Sequence, residues 1–221
     1  LPISGVDDAS GILADDGVTA TITNSGTISV SESYTQSDSN GDGVVDGVFA
    51  EGSDRYGIRT LGAFTGDITN SGTITVKGND SAGILLGGTL TGSLTQSGTI
   101  TVTGDNSVGI SAGAITGNVD ITGSVSATGL NASAVVLNGD IGGTLTIQSA
   151  LGSTGYTSTS LPSSTSSLGA DNLLQNGPTL SIAGSVAGGV ILTAATSTTD
   201  SSGSTVTTTA SSVTSYGTGA A

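Results

Sequence analysis

Short runs of apolar residues alternate with polar ones along most of the chain. In Thr73-Ile74-Thr75-Val76 the isoleucine and valine fall on one side and the threonines on the other. That is the period of a strand with one buried face. Three consecutive copies of one unit cover residues 54–129: DRYGIRTLGAFTGDITNSGTITVKGN, DSAGILLGGTLTGSLTQSGTITVTGD and NSVGISAGAITGNVDITGSVSATG. Gly57, Gly83 and Gly109 stand 26 residues apart. Each unit holds three short alternating runs separated by Gly, Asn, Asp and Ser. A unit this small cannot bury its apolar face alone, so its copies must stack.

The flanks follow the same template with interruptions. Residues 8–30 match the unit, with Gly11 aligned to Gly57 and Asn24 to Asn70, both offset by 46. One 26-residue period leaves about 20 extra residues, an insertion at 31–50. A fifth copy starts at Asn131, where Ala134 replaces the Gly, and breaks off near Ser149. Residues 150–177 read as a second insertion. Thr179-Leu180-Ser181-Ile182 then aligns with Thr99-Ile100-Thr101-Val102, and Gly189 takes the Gly position of a sixth coil. A third insertion covers 197–210, and Val213 aligns with Ile68.

Stacking in this register predicts four apolar columns: Ile28, Ile74, Ile100, Val125 and Leu180; Val30, Val76, Val102, Ala127 and Ile182; Ile22, Ile68, Leu94, Val119 and Leu145; and Ile12, Ile58, Ile84, Ile110, Val135 and Val190. The expected fold is all-β: one parallel β-helix domain over 1–221, of about six coils with three strands each. A triangular section and a right hand are the default expectations.

Composition narrows the function. The chain carries 3 basic residues against 17 acidic ones, a net charge of −14, with no Cys, His, Met or Trp. Nothing is available to neutralise phosphates, so nucleic acid is not an expected partner, nor is an anionic membrane surface. No apolar run approaches the ~18 residues of a spanning helix, so no membrane insertion is expected within this segment. A chain starting at Leu1 and stopping mid-coil reads as a piece of a longer product.

Several columns carry polar groups. Asn24, Asn70 and Gln96 face inward and predict an amide ladder that Ile121 ends, because unpaired buried amides are costly. Asp8, Asp54, Asp80, Asn106 and Asn131 precede the Gly or Ala by three residues. They read as turn formers, with a cation between the stacked aspartates as the alternative. The outward Thr and Ser ranks, including Thr73-Ile74-Thr75 and Thr179-Leu180-Ser181, read as a solvated sheet face; they also resemble the T-x-T ranks of ice-binding β-helices. Asp15, Asp16, Asp67, Asp120 and Asp140 fall at turns without the paired acids that glycosidic chemistry needs. Arg55 and Arg59, beside Tyr56, are read as a surface cluster able to pair with Asp54 or Asp80. No enzyme is expected.

The sharpest motif lies in the first insertion. Asp38, Asn40, Asp42 and Asp46, with Gly43 between, have the spacing D-x-N-x-D-G-x-x-D. This resembles the calcium loops of dockerins and thrombospondin-type repeats and the first half of an EF-hand. Ca²⁺ takes six to eight hard oxygens, and Gly at the sixth position allows the sharp turn. Phe49 stands where the bidentate acid belongs, and Glu51 or Asp54 would have to supply it. The expected ligand set is Asp38, Asn40, Asp42, Asp46 and Glu51. The plain alternative is an acidic loop of turn formers.

The copies DITNSGTITVKGNDSAGILL and SLTQSGTITVTGDNSVGIS resemble the passenger repeats of bacterial autotransporters, the type V secretion proteins. The resemblance covers about residues 8–30, 54–147 and 179–194 and is one of repeat style. It implies a β-helix displayed outside a Gram-negative cell, adhesive or structural, with any translocating barrel beyond Ala221. The expected function is a surface stalk that presents its insertions to a host, matrix or neighbouring-cell surface. The alternative is a surface-layer or filament subunit whose partners are copies of itself. A polysaccharide-acting enzyme or an ice-binding protein is the remoter expectation.

Overall fold

The computed structural model describes residues 3–38, 41, 45, 47–155, 175–199, 201–202, 204–208 and 210–216. The alternating runs form strands that pair with the equivalent strand of the next coil, in parallel and in register. Sheet 1 stacks Ser10–Ala14, Tyr56–Thr60, Ala82–Leu86, Val108–Ala112, Ser133–Leu137 and Leu180–Ile182. Sheet 2 is a short corner of Val18–Thr19, Phe64–Thr65 and Leu90–Thr91, continued by single bridges through Ile115, Ile141 and Val186. Sheet 3 stacks Ile22–Asn24, Ile68–Asn70, Leu94–Gln96, Val119–Ile121, Leu145–Ile147 and Val190–Leu192. Sheet 4 stacks Ile3–Ser4, Thr27–Ser31, Thr73–Lys77, Thr99–Thr103, Val125–Thr128, Ala150–Thr154 and Ser212–Tyr216. No helix occurs among the described residues, so none is long and apolar enough to cross a membrane. The protein is a parallel β-helix.

The inward columns of the middle coils form one core. Ile58, Ile84, Ile110 and Val135 are fully buried, as are Ile68, Leu94, Val119 and Leu145. Each such side chain contributes about 1.5–3 kcal/mol on leaving water. The Gly column beside them has a packing cause. A Cβ on Gly83 would overlap Ile100 Cγ2 of its own coil and lie 2.6 Å from the Gly109 carbonyl of the next. Gly57 meets Ile74, and Gly109 meets Val125, in the same way. In the fifth coil the pair changes together: Ala134 replaces Gly and Leu151, unbranched at Cβ, replaces Ile or Val. Both are buried.

The last coil is threaded differently from the expected alignment. Ala150–Thr154 is a strand of sheet 4, with Leu151 beside Val125 and Ser153 beside Ala127. Leu180 pairs with Val135 and Ile182 with Leu137, so both belong to sheet 1, not sheet 4. Val190 stacks on Leu145 in sheet 3, so Thr179, not Gly189, continues the Gly column. Val213 stacks on Leu151 in sheet 4. The outward hydroxyl ranks therefore lose their fifth rung to Ala150 and Gly152.

The cause is a change from apolar to polar core filling. Ser153 and Thr179 are fully buried, with their hydroxyls 2.6 Å apart. Asn176 donates to Ser153 at 2.5 Å and Ser215 at 2.8 Å, and Thr179 donates to the Thr214 carbonyl at 2.9 Å. Paired hydroxyls can be buried, but they erase the alternation that marks a strand.

The amide ladder forms as the alternation implies. Asn24 Nδ2 donates to Asn70 Oδ1 and Asn70 Nδ2 to Gln96 Oε1, each at 2.6 Å. Gln96 Nε2 finds no partner among the described residues, where Ile121 ends the column. The Asp/Asn column is a turn column throughout: Asp8, Asp54, Asp80, Asn106 and Asn131 have φ between 51° and 57°, the left-handed region these two residue types tolerate best after Gly.

Two substitutions test the packing. Gly83→Ala should cost about 1–3 kcal/mol through overpacking, and adding Ile100→Leu should recover most of it, read as urea midpoints at unchanged slope. Asn70→Leu should cost about 2–4 kcal/mol, since it strips partners from Asn24 and Gln96 together. Gln96→Leu, at the end of the ladder, should cost less.

Candidate functional site: the anchored first insertion

The first insertion leaves sheet 4 after Ser31 and rejoins sheet 1 at Tyr56. Its two ends are pinched together by Glu32, whose carboxylate accepts the Glu51 and Gly52 amides at 2.8 and 2.9 Å. Arg55 locks the pinch. Its guanidinium is 2% exposed and donates to Glu32 at 2.7 Å, the Lys77 carbonyl at 2.8 Å, the Val6 carbonyl at 3.0 Å and Asp7 at 3.1 Å. One buried cation thus joins the first residues of the chain, the base of the insertion and the second coil. Asp7 also accepts the Ser53 amide at 2.9 Å.

Arg55 is therefore not the surface residue expected, and its partners are Asp7 and Glu32 rather than Asp54 or Asp80. The repeat carried the signal. Arg55 shares its column with Ala9, Ser81, Ser107 and Ala132, all buried. Arg59 does sit at the surface, 4.2 Å over the Tyr56 ring and 2.7 Å from Asp8. Lys77 donates to the Tyr34 carbonyl and lies 4.9 Å from its ring centre. All three basic residues of the chain thus gather at the root of this insertion.

Further up, Gln36 donates to the Gly47 carbonyl at 2.6 Å and Gly47 to the Ser37 carbonyl at 2.8 Å. Phe49 and Ala50 are buried, and Asn79 of the second coil donates to the Ala50 carbonyl at 2.9 Å. Asp7, Glu32, Tyr34, Glu51 and Arg55 line an open cleft of about 350 Å³ at the root.

Of the expected calcium ligands, Asp38 accepts the Gly41 amide at 2.6 Å and Glu51 lines the cleft. Asn40, Asp42 and Asp46 lie outside the described residues. Among the described residues no three His, Cys, Asp or Glu side chains converge on a metal position. Several turn aspartates are engaged with the next coil's backbone: Asp16 with the Ala63 amide at 2.7 Å, Asp67 with Ser93 and Asp140 with Ser185, both at 2.8 Å.

Burial alone would raise the Glu32 carboxyl. The bonds from Arg55, Glu51 and Gly52, with the Arg55 charge, outweigh it and hold the group below its ordinary 4.5. Burial pushes the Tyr56 hydroxyl above its ordinary 10.0, with Arg59 opposing and Asp54 and Asp8 adding to the rise. No family model, no curated protein and no solved structure matches the chain.

Because the Glu32 value is depressed on folding, its stabilisation is fully present above the unfolded value near 4.5 and is lost as pH falls through the folded value. Glu32→Gln should remove that part of the acid sensitivity and destabilise the protein by about 3 kcal/mol at neutral pH, because it leaves a buried guanidinium short of a partner. Thermal melts from pH 7 to 3 on both proteins check this.

Proposed function

We propose that this chain is an extracellular β-helical stalk on the surface of a Gram-negative bacterium, presenting its insertions for attachment to a host, matrix or neighbouring-cell surface. Its work is presentation, not catalysis. The observation that carries the reading is the attachment of the insertions to the stack. The first lies between Ser31 and Tyr56 and the second between Thr154 and Leu180, both on the edge joining sheet 4 to sheet 1. Four coil steps separate them, about 19 Å at the ~4.8 Å strand spacing. A third insertion, between sheets 3 and 4 of the last coil, carries an antiparallel hairpin of Thr196–Thr199 with Thr205–Thr208. Loops held on a rigid scaffold are where binding residues concentrate. The acidic balance and the resemblance of the repeats to autotransporter passengers support the same reading.

In this proposal Ca²⁺ orders the first insertion through Asp38, Asn40, Asp42, Asp46 and Glu51, supplying charge neutralisation among clustered acids. The supporting features are the ligand spacing and the Asp38 turn to the Gly41 amide.

Residues 32–51 can be deleted without breaking the template, since Gly52–Arg55 then occupies the place of Gly78–Ser81 between strands. Displayed on cells, this deletion combined with Arg55→Ser should keep the strand signal in circular dichroism and lose attachment to matrix or host cells. Undiminished attachment would count against the first insertion as the binding element. Chelator should lower the melting temperature of the wild type and leave Asp42→Ala unchanged; identical melts for the wild type with and without chelator would dispose of the ion.

A further inference from the structure

We propose that the outer face of sheet 1 docks a basic amphipathic helix of a partner protein, laid along the stack. This goes beyond the loop-presentation reading and does not rest on it. The faces of the β-helix differ in what they turn to solvent. Sheet 3 presents Thr23, Thr69, Thr95 and Thr146, and sheet 4 presents Thr73, Thr75, Thr99 and Thr101. Polar side chains are what the outer side of a half-exposed strand should carry. On sheet 1 the outward row reads Leu13, Arg59, Leu85, Ser111 and Val136 through the register. Leu13 and Leu61, the residue after the Tyr56–Thr60 strand, are 54% and 47% exposed. Leu85 and Val136 are half-buried. Apart from Val6, the first insertion and the sixth coil, no other described large apolar side chain stands so far into solvent. Leu61, Leu85 and Val136 each have a coil on either side, so no further coil can cover them.

Spacing and charge select the partner. The apolar residues of the row fall on every second coil, with Arg59 and Ser111 between them. Two coil steps are about 9.6 Å at the ~4.8 Å strand spacing, and seven residues of α-helix rise about 10.5 Å. A helix with one apolar residue per heptad therefore meets Leu13, Leu85 and Val136 in turn. The row runs between acidic borders. Asp8, Asp54 and Asp80 stand where the chain enters sheet 1, and Asp15 and Asp16 where it leaves, all of them exposed. Arg59 offsets one of the five, Asp8, at 2.7 Å. Lysines and arginines flanking the apolar seam of the helix would face these borders, a complementarity that fixes register and speeds encounter. The same borders set acid against acid if two copies of this face meet, and they repel an anionic membrane surface.

The test is fluorescence anisotropy with a labelled helical peptide of three heptads, carrying one leucine per heptad flanked by lysines, with alanine elsewhere. The proposal expects it to bind the wild type, more weakly as salt rises. Leu85→Ser and Val136→Ser, both on the outer side of the sheet, should each weaken binding at least about tenfold. Thr95→Ser on sheet 3 should bind like the wild type. So should the deletion of residues 32–51 with Arg55→Ser, which separates this contact from attachment through the first insertion. Circular dichroism melts confirm that each variant is folded. No binding at the solubility limit of the peptide would overturn the proposal. Equal binding of a peptide of the same composition with its leucines scattered around the helix would do so too, as would folded Leu85→Ser and Val136→Ser proteins that bind unchanged. Binding lost with the deletion would assign the contact to the insertion instead. Sedimentation velocity in which the wild type self-associates and Leu85→Ser does not would give the face to a second copy and equally overturn the proposal.

Discussion

Everything in this molecule depends on each coil lying in register on the next. A coil offers a thin apolar stripe on each face, too little to bury by itself. Only the coils above and below complete its core and pair its backbone. The register is enforced from inside. A one-residue slip would turn Ile74 and Val76 outward and put threonines in the core. It would also separate the glycines from the branched side chains that occupy their space. The exchange of Gly with Ile or Val for Ala134 with Leu151 shows the two columns fitting together as a unit.

That constraint lets the chain carry insertions without loss of scaffold. Val30 stacks on Val76 across a gap of 46 residues with the same pairing that joins Val76 to Val102 across 26. The extra 20 residues are excluded from the stack and tied to it at their root. The tie is a buried guanidinium, placed where other coils use Ala or Ser. An unpaired charge there would be very costly, so Glu32, Asp7 and two backbone carbonyls must stay in place. The loop base is fixed by the same residue that the regular template would not have needed.

Much of the fold was legible in the sequence because the middle coils repeat both the period-2 alternation and the spacing. Columns through Ile68, Leu94 and Val119, and the ladder from Asn24 to Gln96, follow from alignment alone. The alternation that marks a strand disappears where the core stops being apolar. Ala150–Thr154 buries Leu151 and Ser153 around a Gly, so it looks like a loop. Without that strand in the alignment, Leu180 and Val213 fall one sheet out of place and Val190 two. Arg55 was misplaced for a related reason: a charge suggests a surface, although its column is internal in every coil. The spacing of oxygen ligands singles out the first insertion in the sequence, although Asn40, Asp42 and Asp46 lie outside the described residues. The clasp beneath it was not legible, because Asp7, Glu32, Arg55 and Lys77 are brought together only by the stacking of two coils.

The most direct measurement of this account is a distance along the stack. Thr23 and Ile191 lie on the outer side of sheet 3, in the first and sixth coils, joined through Thr69, Thr95, Asp120 and Thr146. The chain has no cysteine, so Thr23→Cys with Ile191→Cys gives a clean spin-label pair for pulsed electron resonance. Five coil steps predict one narrow distribution near 24 Å between backbones, although two insertions lie between the labels. A broad distribution, or one centred well beyond that distance, would contradict continuous in-register stacking.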